Sequence, residues 1–276
     1  MSSHTAQTEL KFLGKLILDA DLTCDTGLHI GAGKGSLEIG GADNPVVKDA
    51  FGRPYVPGSS LRGKLRSLLE QAAGLSPSEM VFLSKRKGQE VRIHQSDRPD
   101  DEICLLFGRN PGRMERVSGE VMEGVAATPA RLTVCDAPLD TESITPQMRE
   151  NLDDELTEVK SENAVDRLTS QANPRTLERV PAGARFKMRM ILDILCEEDK
   201  ELAAKLAEGI RLLEDDTLGG GGSRGNGRVR ISGIRVAWRA RSYYAEGTPE
   251  KELLSGGDSA SLLALVRSAD FAAQLS

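Results

Sequence analysis

The chain has 276 residues, of which 39% are hydrophobic and 28% are charged, and its net charge is −6. This length can bury a good core, and no run approaches the roughly 18 apolar residues that a membrane span needs. The negative net charge argues against a protein that simply coats nucleic acid. The N-terminus lacks the basic and apolar regions of a signal peptide, so we expect a cytoplasmic protein with no membrane partner.

The first predicted element is a half-buried strand at 15–24, in which apolar and polar residues alternate. Its buried face consists of Leu16, Leu18, Ala20, Leu22 and Cys24. A helix is predicted to follow Pro57, with Ser59 or Ser60 as its N-cap and Gly74 at its end. Its buried stripe consists of Leu61, Leu65, Leu68, Leu69 and Ala72.

The remaining chain mixes strands and helices. Residues 76–103 are charged and weakly periodic, which is typical of an insertion. The later predicted elements are a strand at 131–137, a short acidic helix from Thr145 to about Leu156, a polar projecting segment at 158–180, a strand at 185–195, a helix carrying Leu202, Leu206, Ile210 and Leu213, a strand at 228–238 and a last helix at 259–274. This mixture indicates an α+β domain.

An acidic residue lies on a glycine-rich segment between Gly31 and Asp49. Two glycine clusters flank Glu38 there, and Asp43 follows in the sequence Gly-Ala-Asp-Asn-Pro. Glycine lets the backbone approach a partner closely, so a carboxylate on such a loop is well placed to meet a ligand. Asp-Asn-Pro is also ordinary turn chemistry, and from this loop alone a surface turn is the better interpretation.

A second glycine-rich loop, at 219–227, precedes a predicted strand. It lacks the Gly-Lys-Ser/Thr ending of a Walker A loop, and the glycines at 31, 33 and 35 do not complete GxGxxG. A nucleotide-cofactor enzyme is therefore weakly supported. A backbone that follows a nucleic-acid phosphate chain fits better, with Ser223 and Arg224 as donors. A plain mobile loop is the alternative.

Basic residues are concentrated in three parts of the sequence, 53–66, 85–92 and 224–241. A locally basic groove on an acidic body can bind phosphates, although each cluster alone is equally consistent with a solvated face. Arg62 and Lys64 lie near a predicted helix N-terminus, whose free N–H groups also favour phosphate. Aromatic residues make up only 4% of the chain, so base stacking is not expected to dominate binding.

The four cysteines are far apart and form no CxxC pair; they are Cys24, Cys104, Cys135 and Cys196. Reduced, buried thiols in a cytosolic protein are the interpretation we favour. His94 and Cys104 could form half of a zinc site, but two ligands do not complete one. Asp136 follows a buried strand, and we expect it to have a structural role.

One ordered set of segments runs through most of the sequence, namely 26–31, 55–66, 131–137, 158–163, 166–169, 172–175, 178–179 and 218–229. In this order the segments resemble the RAMP proteins of type III CRISPR–Cas complexes, with the backbone subunits of the type III-A (Csm) effector as the best match. The resemblance implies a single RAMP domain over 1–276. Its palm would be ferredoxin-like (RNA-recognition-motif-like), with a lid insertion at 76–130 and a projecting thumb at 155–180.

The resemblance also implies an activity. The protein would be a repeating backbone subunit that binds guide RNA and acts as a metal-dependent endoribonuclease on complementary target RNA, cutting it at regular intervals. Asp43 matches the residue on which cleavage depends, and it would be a weak ligand, shared with RNA, of a divalent cation, with Mg²⁺ as the expected ion. The implied RNA-binding residues are His29, Arg62, Lys64, Gly220, Gly222, Ser223, Arg224 and Arg228.

The implied partners are guide RNA, target RNA, copies of the same chain in a head-to-tail filament and other subunits of the effector complex. A non-cleaving type III-D backbone subunit is an alternative, because the chain is longer than the family needs, although Asp43 argues against a subunit that does not cut. A glycine-loop nucleotide-binding enzyme is the alternative from another class.

Overall fold

The computed structural model describes residues 10–32, 42–86 and 89–275. The strands, numbered in chain order, are β1 (Gly14–Cys24), β2 (Tyr55–Val56), β3 (Val81–Arg86), β4 (Gln89–Ile93), β5 (Gly112–Glu115), β6 (Val121–Val125), β7 (Leu132–Val134), β8 (Ala137–Asp140), β9 (Glu158–Val165), β10 (Ala172–Arg179), β11 (Arg185–Ile194), β12 (Val229–Ala240) and β13 (Lys251–Gly257). The helices are α1 (Gly58–Ala72), α2 (Glu102–Phe107), α3 (Pro146–Arg149), α4 (Leu202–Glu214), α5 (Arg241–Glu246), α6 (Ser259–Val266) and α7 (Phe271–Gln274). Short 3₁₀ helices lie at Thr141–Ser143, Glu197–Glu201 and Gly222–Arg224. Within these ranges, no helix combines the length and the apolar character that a membrane crossing requires.

The largest sheet of the described residues is antiparallel and has β1 near its centre. Its strand order is β13-β12-β1-β11-β8-β2, and β7 also pairs with β11. Leu22 of β1, for example, lies opposite Phe186 of β11 on one side and Ile231 of β12 on the other. The beginning of the described chain is therefore held between two strands from its second half.

One face of this sheet forms the core with α1 and α4. The predicted alternation of β1 is confirmed, because its buried face consists of Leu16, Leu18, Ala20, Leu22 and Cys24. Leu61 of α1 and Leu206 and Ile210 of α4 belong to the same apolar cluster. A Cβ atom at Gly209 would lie 3.3 Å from Cδ1 of Leu69, so the glycine allows α4 to pack closely against α1.

Helix α1 begins at Gly58 and is not capped by the side chain of Ser59 or Ser60, which corrects the prediction. The carboxylate of Asp136 accepts a hydrogen bond from the Gly58 amide at 2.7 Å, in line with the structural role expected for this aspartate. A Cβ atom at Gly58 would lie 2.2 Å from the carbonyl oxygen of Val134. Only glycine lets the helix begin this close to the sheet.

The acidic helix predicted after Thr145 is only four residues long, Pro146–Arg149. Asp153 and Asp154 follow it, and their carboxylates accept hydrogen bonds from nearby backbone amides. Side chains of this type compete with the hydrogen bonds of a helix. This competition explains why the helix does not extend to Leu156.

Other predicted elements are divided. The strand predicted at 131–137 is two strands, β7 and β8, and the helix predicted at 259–274 is two short helices, α6 and α7. The polar residues 267–270 offer no apolar stripe to continue a helix. Ala72, expected on the buried stripe, is exposed at the end of α1. The polar segment 158–180 contains a hairpin, β9–β10, whose strands pair with each other outside the main sheet.

The insertion, residues 76–130, contains β3 to β6 and α2. Two of these strands, β3 and β4, lie in the segment 76–103, whose sequence is only weakly periodic. The insertion has a small apolar cluster of its own, formed by Val81, Met122 and Val125 with Ile93 and Met114 packed against them. Helix α2 also contributes to the main core. The insertion is therefore tied to the rest of the protein through α2.

A buried ion pair joins the end of the insertion to the segment before α4. Arg131 Nε donates to Asp199 Oδ2 at 2.9 Å, and both side chains are almost completely buried. The guanidinium also donates to the Pro129 carbonyl, and the same carboxylate oxygen accepts from the Leu195 amide at 2.8 Å. Removing one member of such a pair leaves a buried charge without its partner.

We expect Arg131→Ala to lower the free energy of unfolding by about 3–5 kcal/mol, because Asp199 would stay buried without its counter-charge. Arg98→Ala is the matched control, since Arg98 pairs with Asp100 on the surface, and it should change stability by less than about 1 kcal/mol. Urea unfolding followed by circular dichroism measures both changes. Equal stability of the two variants would contradict this account of the pair.

Candidate nucleic-acid interface

Asp43 lies on the segment 42–48, which is bonded to β10. Asp43 Oδ2 accepts hydrogen bonds from the amide of Thr176 at 2.7 Å and from its hydroxyl at 3.0 Å, and that hydroxyl accepts from the Asp43 amide at 2.9 Å. These contacts, the amide first, hold the pKa of Asp43 below its ordinary 3.8. The other oxygen, Oδ1, accepts no hydrogen bond from a described residue. Asp43 is exposed, and its ionised carboxylate keeps one oxygen that no described residue binds.

Glu178 lies on β10 and binds the segment 42–48 through its side chain. Its buried carboxylate accepts from the Val46 amide and from the Thr157 hydroxyl, at 2.8 and 2.7 Å, and it pairs with Lys48 Nζ at 2.8 Å. Its carbonyl oxygen lies 2.7 Å from Nδ1 of His29. A carbonyl oxygen only accepts, so Nδ1 of His29 carries the proton and its Nε2 is left for another partner.

His29 in turn contacts the glycine loop, which we define as residues 218–228. Its carbonyl oxygen accepts a hydrogen bond from the Gly220 amide at 2.8 Å. A Cβ atom at Gly219 would lie 2.2 Å from the same oxygen, and Gly219 has a φ of +78°. Both observations require glycine at this position.

The glycine loop is fixed by hydrogen bonds of its own. The Leu218 amide donates to the Gly227 carbonyl, and the Gly227 amide donates to the Gly27 carbonyl. The loop amides that already donate to protein carbonyls are those of Leu218, Gly220, Arg224, Gly225, Asn226 and Gly227. Most of this backbone is therefore engaged, and binding of a phosphate would depend mainly on side chains.

The loop side chains predicted to bind RNA are exposed, but they differ in their contacts. Arg224 Nε donates to Glu162 Oε1 of β9 at 3.2 Å. Arg228 is exposed, and its guanidinium forms no ion pair with a described residue. Ser223 is exposed beside Gly222 in the short 3₁₀ turn. The loop thus presents one arginine with a partner and one, Arg228, without an ion-pair partner among the described residues.

Asn226 fastens the glycine loop to the hairpin β9–β10. It is completely buried, and its Oδ1 accepts from Arg179 Nη1 at 3.0 Å and from Lys160 Nζ at 3.5 Å. Lys160 Nζ also donates to the carbonyl of Arg224 at 3.2 Å. The loop and the hairpin are consequently one connected polar structure.

The two residues of α1 that were predicted to bind RNA do not form one patch. Lys64 pairs with Asp216 at 3.0 Å, just before the glycine loop. Arg62 donates to the carbonyl of Phe107 in α2 at 2.7 Å, and burial, followed by the nearby charge of Arg66, lowers its pKa below the ordinary value of an arginine. Two positions along a helix turn a side chain by about 200°, so the two charges face different neighbours.

The structure therefore brings Asp43, His29 and the glycine loop together around the hairpin, with Lys64 on the loop side and Arg62 towards the insertion. Glu38 and the glycines at 33 and 35 lie outside the described residues. The sequence interpretation missed several residues that build the site, which are Thr176, Glu178, Glu162 and Asn226. Nothing in the spacing of the first three separates them from ordinary polar strand residues, and nothing separates Asn226 from the other polar residues of the predicted loop.

The suspected pair His94 and Cys104 gains a third member, Asp101, and the three ligand atoms lie within 4.8 Å of one another. His94 Nε2 lies 2.8 Å from Asp101 Oδ2. Burial alone would raise the pKa of Asp101, but hydrogen bonds from His94 and the Cys104 amide hold it below its ordinary value. Burial raises the pKa of the Cys104 thiol to about 12. The thiol is protonated and His94 Nε2 is hydrogen-bonded, whereas His94 Nδ1 is buried without a hydrogen-bond partner among the described residues.

A divalent cation fits the Asp43 site only if a bound nucleic acid also coordinates it. Asp43 offers one open carboxylate oxygen, and it does not belong to a cluster of three possible ligands among the described residues. Mg²⁺ commonly binds through one or two carboxylates together with phosphate and water. The donor set therefore suits an ion held jointly with a bound nucleic acid.

Comparison with known proteins gives consistent matches. A sequence model described as the RAMP superfamily matches residues 21–230. The chain is 40% identical over 239 residues to the CRISPR system Cms endoribonuclease Csm3 of Methanocaldococcus jannaschii, covering 85% of this chain and 86% of the relative. It is 39% identical over 210 residues to the protein of the same name from Enterococcus italicus, covering 75% and 84%.

Solved structures share the fold. A Csm3–Csm4 subcomplex from the type III-A CRISPR-Cas interference complex matches with a TM-score of 0.57 and 30% identity, covering 93% of this chain and 97% of that chain. The Csm3 crystal structure from Methanopyrus kandleri also matches with a TM-score of 0.57, at 24% identity, covering 86% and 80%. The second similarity concerns the fold alone.

We expect Thr176→Val to raise the pKa of Asp43 part of the way to 3.8, because the hydroxyl donor is lost and the amide donor remains. The lowered pKa stabilises the fold above the unfolded-state pKa, and this contribution disappears as the pH falls through the folded-state pKa. In the variant the folded-state pKa of Asp43 lies closer to its unfolded-state pKa. The stability that Asp43 contributes should therefore be lost over a narrower range of acid pH. An NMR titration of the Asp43 carboxyl carbon measures the pKa, with Thr133→Val as the control; an unchanged value would show that the hydroxyl does not bind Asp43.

Proposed function

This chain belongs to the RAMP superfamily, and from that membership we propose that it is a repeating backbone subunit of a type III CRISPR RNA-guided complex. It binds guide RNA and cleaves the complementary target RNA. Proteins from other organisms that are named CRISPR system Cms endoribonuclease Csm3 are similar to this chain over most of its length. The observation that carries the proposal is the open carboxylate of Asp43, anchored to β10 beside His29 and the glycine loop.

The proposal includes an architecture. The order β12-β1-β11-β7, with α1 and α4 packed on one face, supports a ferredoxin-like palm within a single RAMP domain over 1–276. The insertion at 76–130 would be the lid, and 155–180, which contains the hairpin β9–β10, would be the thumb. Copies of the chain would stack head-to-tail along the guide RNA, in a contact that does not close into a ring.

The protein would bind the sugar–phosphate backbone of the guide RNA. Lys64, Ser223 and Arg228 supply charge and hydrogen-bond donors on the glycine-loop side. His29 offers its open Nε2 next to the same loop. Contacts to phosphate carry no sequence information, so specificity would come from base pairing between guide and target, as in other RNA-guided complexes.

Target cleavage would use the 2′-hydroxyl of the RNA as nucleophile, in line with the bond to the leaving 5′-oxygen. Asp43 is a weak base, because its pKa is low, so its role is to orient the attacking group through its open oxygen. Thr176 binds the other oxygen, Oδ2, and so fixes the direction of the whole carboxylate. The products would be a 2′,3′-cyclic phosphate and a 5′-hydroxyl.

A divalent cation, with Mg²⁺ as the expected ion, would stabilise developing negative charge when bound. Asp43 would be its ligand from the described part of the protein, and RNA and water would complete the coordination. No separate protein cage is needed for such an ion.

We expect Asp43→Ala in the reconstituted complex to reduce target-RNA cleavage at least about a hundredfold, while guide and target binding change by less than roughly threefold. The reason is that the carboxylate touches the reacting group but contributes little to backbone binding. Gel assays of cleavage and of binding measure the two effects.

Asp49→Asn is the matched control, since Asp49 directly follows the segment 42–48 and also accepts backbone hydrogen bonds. It should cleave normally. Cleavage by Asp43→Ala at the rate of the unchanged complex would remove Asp43 from the catalytic role, even if RNA binding is intact.

We expect EDTA to stop cleavage without changing the melting temperature of the protein, because the proposed ion is held by one carboxylate and by RNA. Cleavage and melting temperature are measured before and after chelation, and added Mg²⁺ should restore cleavage. A marked fall in melting temperature would instead reveal a structural ion, for which His94, Asp101 and Cys104 are the candidate ligands. Full cleavage in EDTA would exclude the metal dependence.

A further inference from the structure

Three basic side chains from three segments meet at one carboxylate. Glu162 Oε2 accepts from Arg175 Nη2 at 2.8 Å and from its Nε at 3.2 Å. Glu162 Oε1 accepts from Arg224 Nε at 3.2 Å and lies 3.6 Å from Lys160 Nζ. β9, β10 and the glycine loop therefore each contribute one cation to the same anion.

The cluster carries an excess of positive charge. Three cations surround one carboxylate, and the hydrogen bond from Arg175, followed by that from Arg224, holds the pKa of Glu162 below its ordinary value. The carboxylate is thus ionised at neutral pH and neutralises only one of the three charges. The remaining charge attracts a further anion.

The cluster also opens towards solvent on its basic side. The Glu162 side chain is only 11% exposed, whereas those of Arg175 and Arg224 are 47% and 52% exposed. Each guanidinium has N–H groups that Glu162 does not use, since Arg224 contributes only Nε and Arg175 contributes Nε and Nη2. An anion that arrives from solvent meets these N–H groups first.

The two oxygens of Glu162 have the arrangement that a phosphodiester also offers to arginine, namely two acceptors suited to planar guanidinium donors. We propose that Arg175, Arg224 and Lys160 form a binding site for an RNA phosphate between the hairpin and the glycine loop, and that Glu162 competes with this phosphate for the same cations. The inference rests on the proposed RNA-binding function and adds Arg175 and Lys160 to its contacts.

A purely structural role for the cluster predicts a different result. If Glu162 only fastened the hairpin to the glycine loop, its removal would loosen both and weaken RNA binding. If it competes with phosphate, its neutralisation strengthens RNA binding, because an unfavourable charge a few Å from the phosphate disappears. The sign of the effect separates the two roles.

The test measures binding of a fluorescent single-stranded oligouridylate to the full chain by anisotropy across a salt titration. Glu162→Gln should lower Kd about threefold or more at low salt. Arg175→Gln should raise Kd roughly fivefold and reduce the salt slope by about 0.7, as expected for one lost phosphate contact on a single strand. A second arm with the same RNA annealed to its complement distinguishes a phosphate of the guide from one of the paired target.

Two controls complete the design. Glu162→Asp keeps the charge and should show no gain in affinity, and Arg98→Gln, a surface arginine of the insertion, should leave Kd and the salt slope unchanged. An unchanged or higher Kd for Glu162→Gln, or an equal gain for Glu162→Asp, would overturn the inference while RNA binding by the unchanged chain still supported the proposed function. Absence of RNA binding by the unchanged chain would overturn both.

Discussion

The buried carboxylate of Glu178 is the interaction on which the site depends. It is 7% exposed, and burial of a carboxylate is costly unless it is hydrogen-bonded or paired. The Val46 amide, the Thr157 hydroxyl and Lys48 satisfy it together. The same residue positions His29 through its backbone carbonyl. One side chain thus aligns the segment that carries Asp43, the base of the hairpin and the strand end that meets the glycine loop.

The fold was largely predictable where the spacing of hydrophobic residues along the sequence alone decides the structure. The buried face of β1 and the stripe of α4 follow directly from their spacing. The failures occur where polar side chains bind backbone groups. Asp136 replaces the predicted serine caps at α1, and Asp153 and Asp154 end a helix that composition would extend. Such bonds depend on the neighbours that the fold supplies, which periodicity does not contain.

The site was predictable only in part. Asp43 and the glycine loop stand out in the sequence, and the resemblance to a known family assigned their roles. Their partners Thr176 and Glu178 are more than 130 positions away from Asp43 and look like any polar strand residues. Only the bonds of the hairpin to the segment 42–48 reveal that Thr176 sets the direction of the Asp43 carboxylate and that Glu178 holds the segment in place. The same holds for Glu162, whose neighbours come from β10 and the glycine loop.

The central position of β1 has a consequence for the synthesis of the protein on the ribosome. β1 is made before every other strand of the described residues, yet both of its partners, β11 and β12, belong to the last third of this sequence. At about 5–20 residues per second, the 160 or so residues between Cys24 and Arg185 take roughly ten to thirty seconds to emerge. During that interval both edges of β1 lack their partner strands, and other chains can pair with them. The architecture that assembles the site therefore leaves these edges of the nascent chain open to wrong pairing until β11 and β12 emerge.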